Sequence, residues 1–339
     1  RATDLVLFSV EPLPDGDVKP YFPIDDEGAD SALIQAHHAR NASRGMAHLP
    51  PDATDGGVRL LLCVGGGGRS ESFAAVAANP KTRAALVANL LHIVRTKQLQ
   101  GVDFDWEVPM SRKQQADYAL LLADAAAAFH AHNPQLLVTV AIHAWQDLGA
   151  ASYAAVDRVH LMSYDAQGGN GKDGHATYAQ AKTDAKRLAS YGCPMSKIAL
   201  GLPFYGRGIS NPSLVLTYGD LVSKVGADLD PTSDVLGKDS AIGFNNVLTV
   251  QKKTKWALTH GLAGIMVWEV GQDTTDVATS LMEAIYDTKM GIKKKGRFKK
   301  KAATSDPRFA KAHQNKAKRE ASARKKKPKK RRIKRNFDL

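Results

Sequence analysis

The segment Gly101-Val102-Asp103-Phe104-Asp105-Trp106-Glu107 alternates large apolar residues with three carboxylates at every second position. A period of two is typical of a β-strand, so the acids are predicted to share one face and the apolar side chains the other. Burying neighbouring carboxylates is unfavourable, which favours a role in chemistry. The segment alone leaves two alternatives open: an antiparallel strand with a solvated acidic face, and a divalent-cation site built from oxygen ligands.

Composition indicates a globular protein without a disulfide framework. The chain has 339 residues, 43% of them hydrophobic and 7% aromatic, which suffices for one large core or two smaller ones. No apolar run approaches the ~20 residues of a membrane-spanning helix, so no membrane association is predicted. Cys63 and Cys193 are the only cysteines, which excludes a disulfide framework and a cysteine zinc site. The histidines show no metal-ligand spacing, and we predict neither a metal nor another cofactor.

Charge is divided unevenly along the chain. Residues 293–339 hold 22 of the 47 Lys and Arg residues but three of the 34 acids, so this segment carries a net +19 and residues 1–292 a net −6. The segment has almost no large apolar residues and no amphipathic stripe, which predicts disorder. We therefore divide the chain into a folded domain over residues 1–290 and a Lys/Arg-rich tail over residues 291–339.

Short apolar runs alternate with helical patterns before the tail. The predicted strands are Asp4–Val10, Val58–Val64, Gly101–Glu107, Leu136–Ile142, Val156–Tyr164, Lys197–Tyr205 and Gly264–Val270, and the clearest helices are Thr82–Thr96, Gln114–His132 and Tyr178–Tyr191. This alternation predicts an α/β fold with a parallel sheet covered by helices. Polar or glycine residues follow nearly every strand, as they do in a (β/α)8 TIM barrel. An open doubly wound sheet is the alternative, although the glycines at 65–68 lack the spacing of a phosphate loop.

Five motifs, in order along the chain, resemble glycoside hydrolase family 18, the chitinases and their relatives. The acid-bearing segment resembles the D-G-x-D-x-D-x-E signature of that family. The other four motifs resemble the S-x-G-G, M-x-Y-D, penultimate and last strands, and they are Val64-Gly65-Gly66, Met162-Ser163-Tyr164-Asp165, Gly201-Leu202-Pro203-Phe204-Tyr205-Gly206-Arg207 and Gly264-Ile265-Met266-Val267-Trp268-Glu269. The resemblance covers residues 4–287. It implies a TIM barrel that hydrolyses β-1,4-linked N-acetylglucosamine polymers.

The sequence departs from the family pattern without touching the three acids. Gln100 stands in place of the first Asp of the signature, Cys63 in place of a Ser and Val108 in place of a common Tyr. The interval from Arg207 to Gly261 is too short for the large inserted α+β subdomain of many chitinases, which predicts a shallower cleft. Only seven strand-like runs are present, and the first resembles the second strand of the family. We therefore expect a barrel that lacks its first strand, with two unpaired edges.

The resemblance also implies a mechanism, in which the 2-acetamido oxygen of the substrate attacks the anomeric carbon. Glu107 would act as general acid and then general base. Asp105 would hydrogen-bond the acetamide N–H, and Asp103 would share a proton with Asp105 because adjacent buried carboxylates do not readily ionise together. Tyr164 would donate to the acetamide oxygen and hold it near the anomeric carbon. Lectin-like members of the family typically lose the final Glu, so its retention favours an enzyme.

Further residues at the carboxyl ends of predicted strands are expected to line the substrate site. Trp268 would stack on the apolar face of a sugar ring. The other predicted substrate-binding residues are Phe8, Gly65, Gly66, Met162, Asp165, Tyr205 and Arg207.

Two other functions stay open at this point. One is a chito-oligosaccharide-binding lectin of the same fold. The other is a nucleic-acid or polyanion-binding protein that acts through residues 293–339, whose charge predicts salt-sensitive binding. The resemblance favours a secreted or endolysosomal location, and the basic tail a nuclear or nucleolar one. We expect a monomer whose partners are chitin or other N-acetylglucosamine-containing glycans.

Overall fold

The computed structural model describes residues 2–22, 34–35, 57–166, 174–225, 230, 232–237 and 241–292, and the predicted tail over residues 293–339 lies outside them. The described strands are β1 (Asp4–Pro12), β2 (Val18–Pro20), β3 (Arg59–Gly65), β4 (Gly101–Asp105), β5 (Leu137–Ile142), β6 (Arg158–Leu161), β7 (Ile198–Pro203), β8 (Tyr205–Gly208), β9 (Val215–Thr217), β10 (Val235–Leu236), β11 (Ile242–Gly243) and β12 (Gly264–Trp268). The described α-helices are α1 (Phe73–Ala78), α2 (Pro80–Thr96), α3 (Arg112–His132), α4 (Gly149–Ala155), α5 (Tyr178–Ser190), α6 (Tyr218–Val225), α7 (Val247–Thr259) and α8 (Leu281–Lys289). Short 3-10 turns cover Met195–Lys197 and Val270–Gln272.

Eight strands form one sheet in the order β12-β7-β6-β5-β4-β3-β1-β2. Seven of them are parallel to their neighbours, and β2 pairs with β1 as an antiparallel hairpin. Asp4 on β1 binds Arg59 of the neighbouring β3 at 2.6 Å and Arg158 of β6 at 3.0 Å. Because β6 lies four places from β1 in the sheet order, the second ion pair shows that the sheet curls back on itself, as the predicted barrel requires.

The strands in the middle of this sheet are enclosed on both faces. Every residue of β3, β4, β5 and β7 is buried. Their runs of Leu, Val and Ile pack into one core together with α2 and α3, and complete burial of each such side chain is worth about 1.5–3 kcal/mol. The near-continuous apolar sequences of these strands follow from this two-sided burial.

The two strands at the ends of the parallel series are less well covered. All five residues of β12 are partly exposed, as are Asp4, Leu5 and Val6 of β1. In the described part of the chain β12 and β1 do not pair with each other, which leaves the sheet open between them; we call this opening the seam. At the carboxyl ends of the two strands the seam is bridged by Phe8 and Trp268, whose ring centroids lie 4.7 Å apart. The seven parallel strands agree with the expected barrel that lacks one strand.

Side-chain caps fix where the covering helices begin. Ser111 accepts a hydrogen bond from the backbone N–H of Gln114, and the side chain of Gln114 accepts from the N–H of Ser111, which together form a capping box before α3. Asn79 caps α2 ahead of Pro80, and Asn246 caps α7. These capped starts lie two residues before the predicted starts of α2 and α3.

A small second sheet follows β7. Four short strands pair in the order β10-β11-β8-β9, and α6 follows β9. The predicted strand Lys197–Tyr205 is therefore divided: β7 ends at Pro203, and Tyr205 begins β8. The division falls at Phe204, whose carbonyl accepts from the N–H of Tyr218 on α6 at 2.9 Å and so draws the chain away from the barrel. These four short strands and α6 are the elements that the structure describes between β7 and α7.

No helix in the described ranges is both long and apolar enough to cross a membrane.

Candidate active site

The acid-bearing strand β4 has one face in the core and one face towards the barrel interior. Phe104 and Trp106 belong to the core, where the Trp106 ring stacks on Phe73 of α1 at 5.4 Å and meets Tyr118 of α3 edge-on at 5.2 Å. Asp103 and Asp105 are buried without belonging to that core, whereas Glu107, beyond the end of the strand, is exposed. The segment thus presents two buried carboxyls below an accessible one.

Asp103, the deepest acid, is held by two neighbours. The hydroxyl of Thr139 on β5 donates to its Oδ1 at 2.5 Å, and Nδ1 of His160 on β6 lies 3.0 Å from the same oxygen. Thr139 is the register partner of Asp103 in the β4–β5 ladder. These contacts fix the Asp103 carboxylate between three adjacent strands.

One carboxyl oxygen of Asp105, the middle acid, lacks such a partner in the described structure. Its Oδ1 is buried and has no hydrogen-bond partner among the described residues. Burial raises the pKa of Asp105 well above its ordinary value, and the negative charges of Glu107 and Asp103 raise it further. An unsatisfied carboxyl oxygen at this depth is costly in a folded protein, which is the kind of exception associated with function.

Glu107, the upper acid, is anchored through its backbone. Its N–H donates to Oγ of Ser70 at 3.0 Å, and a backbone hydrogen bond from Gly67 reaches its carboxylate. Although the residue as a whole is exposed, its carboxyl is partly buried, and this burial raises the pKa of Glu107. The interaction with His143 and the Gly67 hydrogen bond lower the pKa, and the charge of Asp165 raises it; the balance is a raised pKa. A carboxyl with a raised pKa holds its proton to higher pH, as a general acid requires.

The turn after β3 requires glycine because it runs directly against the acid strand. Gly65 and Gly66 have φ values of 98° and 97°, in the region that glycine favours. A Cβ on Gly65 would lie 2.4 Å from the carbonyl oxygen of Asp105, and one on Gly66 would lie 2.3 Å from the ring of Phe8. The N–H of Gly66 donates to the Asp105 carbonyl at 2.7 Å. These two predicted residues therefore shape the wall beside the acids.

An apolar cluster lines the interior next to the acids. Its buried members are Ala141, Met162, Tyr164, Ala176 and Tyr205, with Met266 and Trp268 packed against them. The hydroxyl of Tyr164 faces the sulfur of Met266 at 3.9 Å, a weak contact that leaves the O–H available to a ligand. Burial raises the pKa of Tyr164 well above its ordinary value, and the charges of Asp105 and Glu107 add to the rise, so the phenol is neutral and can donate.

Asp165 lies at the centre of a polar group on the opposite side of the cluster. Tyr205 donates to Oδ1 at 2.8 Å, the Arg207 guanidinium contacts both carboxyl oxygens at 2.8 Å, and Nδ1 of His175 is 3.1 Å from Oδ1. Burial acts to raise the pKa of Asp165, but these hydrogen bonds outweigh it and hold the pKa at about 2. Asp165 is therefore ionised and fixed in place.

Phe8 and Trp268 connect the site to the seam, and a cation covers Phe8 from the β3 side. The Arg69 guanidinium lies 5.0 Å from the ring centroid of Phe8 and 4.2 Å from that of Tyr21, and its Nη1 donates to Ser9 at 2.7 Å. Stacked guanidinium–aromatic contacts of this kind add about 0.5–2 kcal/mol, depending on exposure. Phe8 thus packs between Arg69 on the β3 side and Trp268 across the seam.

A family model described as "Glycosyl hydrolases family 18" matches residues 44–273, more than half of the chain. The chain belongs to this family. Class V chitinase CHIT5 of Lotus japonicus is 25% identical over 270 residues, which span 64% of this chain and 67% of that protein. This relationship places the chain among the glycoside hydrolases of family 18.

Solved structures support the fold independently. A mutant GH18 chitinase from Cycas revoluta, solved with (GlcNAc)4, is 21% identical with a TM-score of 0.69, over 84% of this chain and 92% of that one. The chitinase-like agglutinin RobpsCRA from Robinia pseudoacacia is 22% identical with a TM-score of 0.67, over 84% and 93%. At these identities the likeness establishes the fold, which is the predicted TIM barrel.

Three residues beside the acids of β4 were absent from the sequence prediction. Thr139 and His160 hold Asp103, and His143 lies close enough to Glu107 to influence its pKa. A signal was present, because His160, Met162 and Tyr164 alternate along one strand, as Thr139, Ala141 and His143 do along another. The described residues contain no group of three or more His, Cys, Asp or Glu side chains that could hold a metal ion.

Proposed function

We propose that this chain hydrolyses β-1,4-linked N-acetylglucosamine polymers by the substrate-assisted retaining mechanism, with Glu107 as the general acid and base. The proposal rests on how two acids of one segment differ in burial. Glu107 is accessible and has a raised pKa, and directly below it lies the buried Asp105, whose Oδ1 has no partner in the described chain. A free carboxyl oxygen beneath a positioned proton donor suits a substrate that brings its own hydrogen-bond donor.

In this scheme Glu107 protonates the glycosidic oxygen and later deprotonates water. The acetamide N–H of the substrate donates to Asp105, which satisfies the free Oδ1 and orients the acetamide oxygen for attack on the anomeric carbon. The developing positive charge of the oxazolinium ion is stabilised by the nearby carboxylates. Asp103 supports Asp105 from below and is itself held by the Thr139 hydroxyl and by Nδ1 of His160.

The remaining residues would bind the sugar. Tyr164 would donate to the acetamide oxygen, since its hydroxyl has only the weak contact with Met266. Trp268 would form the floor beneath the ring. The other proposed contacts come from Phe8, Gly65, Gly66, Met162, Asp165, Tyr205 and Arg207, which surround the same space.

The decisive experiment compares Glu107→Gln with the wild-type chain on chitotriose. Loss of the proton donor should lower kcat by about 10²–10⁴-fold with folding intact, measured by product release and circular dichroism. Glu71→Gln, an exposed glutamate near the same turn, is the matched control and should keep wild-type activity. A Glu107→Gln variant with more than about a tenth of the wild-type rate would remove Glu107 from the proposed role.

A second assay separates substrate assistance from other mechanisms. Fully deacetylated chitosan lacks the acetamide nucleophile, so it should not be cleaved, and a thiazoline analogue of the oxazolinium should inhibit. Cleavage of the glucosamine polymer at a rate comparable with chitotriose would contradict the mechanism. Tight binding of chitotriose without any turnover would instead identify the chain as a lectin.

A further inference from the structure

A buried histidine beside Asp165 has no role in the scheme proposed above. His175 is 5% exposed, and its Nδ1 lies 3.1 Å from Oδ1 of Asp165 and 3.2 Å from the backbone nitrogen of the same residue. Its other ring nitrogen, Nε2, is buried without a hydrogen-bond partner among the described residues. The hydrogen bonds of this ring in the described structure are therefore all made with Asp165.

The segment that carries His175 is held from behind. The carbonyl of Ala176, the next residue, accepts a hydrogen bond from Nδ2 of Asn245 at 2.6 Å and another from Nζ of the buried Lys253 at 2.9 Å. These contacts do not involve Asp165, so they fix the position of the histidine independently of the residue that it binds.

Asp165 has a backbone conformation that needs such support. Its φ of 57° lies in the left-handed region, which costs an L-residue roughly 1–2 kcal/mol. His175 contacts this turn twice, because its ring meets the Asp165 N–H and its carbonyl accepts from the N–H of Ala166 at 3.1 Å. Asp165 directly follows Tyr164, the proposed donor to the acetamide oxygen, so a shift of this turn would also move that donor.

The contact with His175 also acts on the charge of Asp165. Burial acts to raise the pKa of Asp165, the hydrogen bond from His175 is the strongest of the contacts that lower it, and the balance is a pKa of about 2. Burial is also the main cause of the raised pKa of Glu107, and the charge of Asp165 adds to it. The other charged or titratable groups around Asp165 in the described chain are Tyr164, Tyr205 and Arg207.

We propose that His175 is a positioning residue for hydrolysis, which donates from Nδ1 to Asp165 and holds that carboxylate in place beside the sugar; this rests on the function proposed above. Nδ1 faces both the N–H and the carboxylate of Asp165, and one ring nitrogen cannot serve both. Hydrogen bonds to a charged group are the stronger ones, so we assign the Nδ1 proton to the bond with the carboxylate.

The test replaces the imidazole by two side chains of nearly equal shape. Asn places an amide where Nδ1 lies and can still donate to Asp165, whereas Leu has the same branching and cannot. His175→Leu should lower kcat/KM on chitotriose about threefold at about pH 7, where Asp165 stays ionised, and about tenfold at about pH 4, where loss of the donor lets this carboxylate take up a proton. His175→Asn should stay within about twofold of wild type at both pH values. His92→Leu, at an exposed position on α2, should change neither rate.

Urea unfolding checks that each variant folds. If His175→Leu does not fold, His175→Gln takes its place, because its amide reaches the position of Nε2 instead of that of Nδ1. Equal losses for His175→Leu and His175→Asn, or a loss for His175→Leu that does not change with pH, would overturn the role of His175. A wild-type chain that does not hydrolyse chitotriose at either pH would overturn the proposed function itself, and with it this inference.

Discussion

The barrel contains two regions of opposite character. The acid wall, strands β3, β4 and β5, is buried at every residue and paired on both sides. The seam, between β1 and β12, is flanked by half-exposed strands that do not pair with each other in the described structure. The proposed proton donor and its supporting acids belong to the wall, whereas Phe8 and Trp268 belong to the seam. Acid geometry and sugar stacking therefore depend on parts of the molecule with different stability.

This difference has a physical consequence. Strands that are paired and covered on both faces open only with global unfolding, whereas half-exposed edges open at lower free energy. Loosening the seam would separate Phe8 from Trp268 while leaving the acids in place. Changes at the seam are thus expected to alter substrate binding, and changes in the acid wall are expected to alter the rate of the chemical step.

The largest expected effect comes from changing one residue of each region in the same assay. Asp105→Asn keeps the shape of the side chain but cannot ionise as the positive charge of the oxazolinium develops, so kcat on chitotetraose should fall about 10²–10³-fold. Trp268→Ala removes stacking area, so it should act mainly on KM. Steady-state kinetics on both variants measures the split. A larger kcat loss for Trp268→Ala than for Asp105→Asn would contradict the assignment of the chemical step to the acid wall and of sugar stacking to the seam.

The same Val→Ala substitution should lower the free energy of unfolding more in the acid wall than at the seam. Val140 on β5 is fully buried, whereas Val267 on β12 is partly exposed. Replacing each by Ala deletes the same two methyl groups, and we expect the free energy of unfolding to fall by about 2–3 kcal/mol for Val140→Ala and by about 1 kcal/mol for Val267→Ala. Urea unfolding measures both. Equal losses would show that the seam is as well packed as the wall.

Much of the structure of the acid wall and the seam could be predicted from the sequence, because local sequence pattern determines local structure. The period-two alternation of residues 101–107 predicted a strand with a core face and an acid face, and the number of apolar runs predicted seven parallel strands. Family motifs brought the proposed site residues together from distant parts of the chain. Strand ends were less accurate, since Tyr205 begins β8 instead of ending β7.

The sequence pattern could not predict contacts between residues that lie far apart in the chain. The support of Asp103 by Thr139 and His160 depends on how three strands align, and the fixing of Asp165 by His175, Tyr205 and Arg207 depends on a loop meeting the second sheet. Alternation can place a side chain on a face. It cannot say which side chain on the next strand lies at hydrogen-bonding distance.

A buried lysine near the seam should make the stability of the protein depend on pH. Lys253 on α7, the helix that packs against β12, donates to the Ala176 carbonyl at 2.9 Å and to Oδ1 of Asn245 at 2.7 Å. Burial lowers the pKa of Lys253 from 10.5 to about 7, although the charges of Asp234 and Asp184 oppose the change. Between these two pH values the unfolded chain binds more protons than the folded one, so the free energy of unfolding should rise as pH increases through that window.

Lys253→Met should abolish this component of the pH dependence. The measurement is urea unfolding of the wild-type chain and the variant at pH values near 7 and near 10, with the exposed Lys255→Met as the control. Met leaves Oδ1 of Asn245 without the Lys253 donor, whereas the Ala176 carbonyl keeps its hydrogen bond from Nδ2 of Asn245, so some stability is lost whatever the pH. The slope between the two pH values is therefore the informative quantity. An unchanged slope in Lys253→Met would show that this lysine keeps an ordinary pKa.

The smallest expected effect on turnover concerns residues 293–339, which contrast with the rest of the chain in charge rather than in burial. This segment carries a net +19 against −6 for residues 1–292, and every proposed site residue lies before it. Deleting it should leave kcat on short chito-oligosaccharides within about twofold of the full chain, because it contributes no group to the proposed chemistry. It should also remove any binding to RNA, which in the full chain should weaken steeply as salt rises because that binding is electrostatic. Loss of hydrolysis on deletion would place part of the catalytic domain beyond residue 292, and RNA binding that survives it would assign that binding to the barrel.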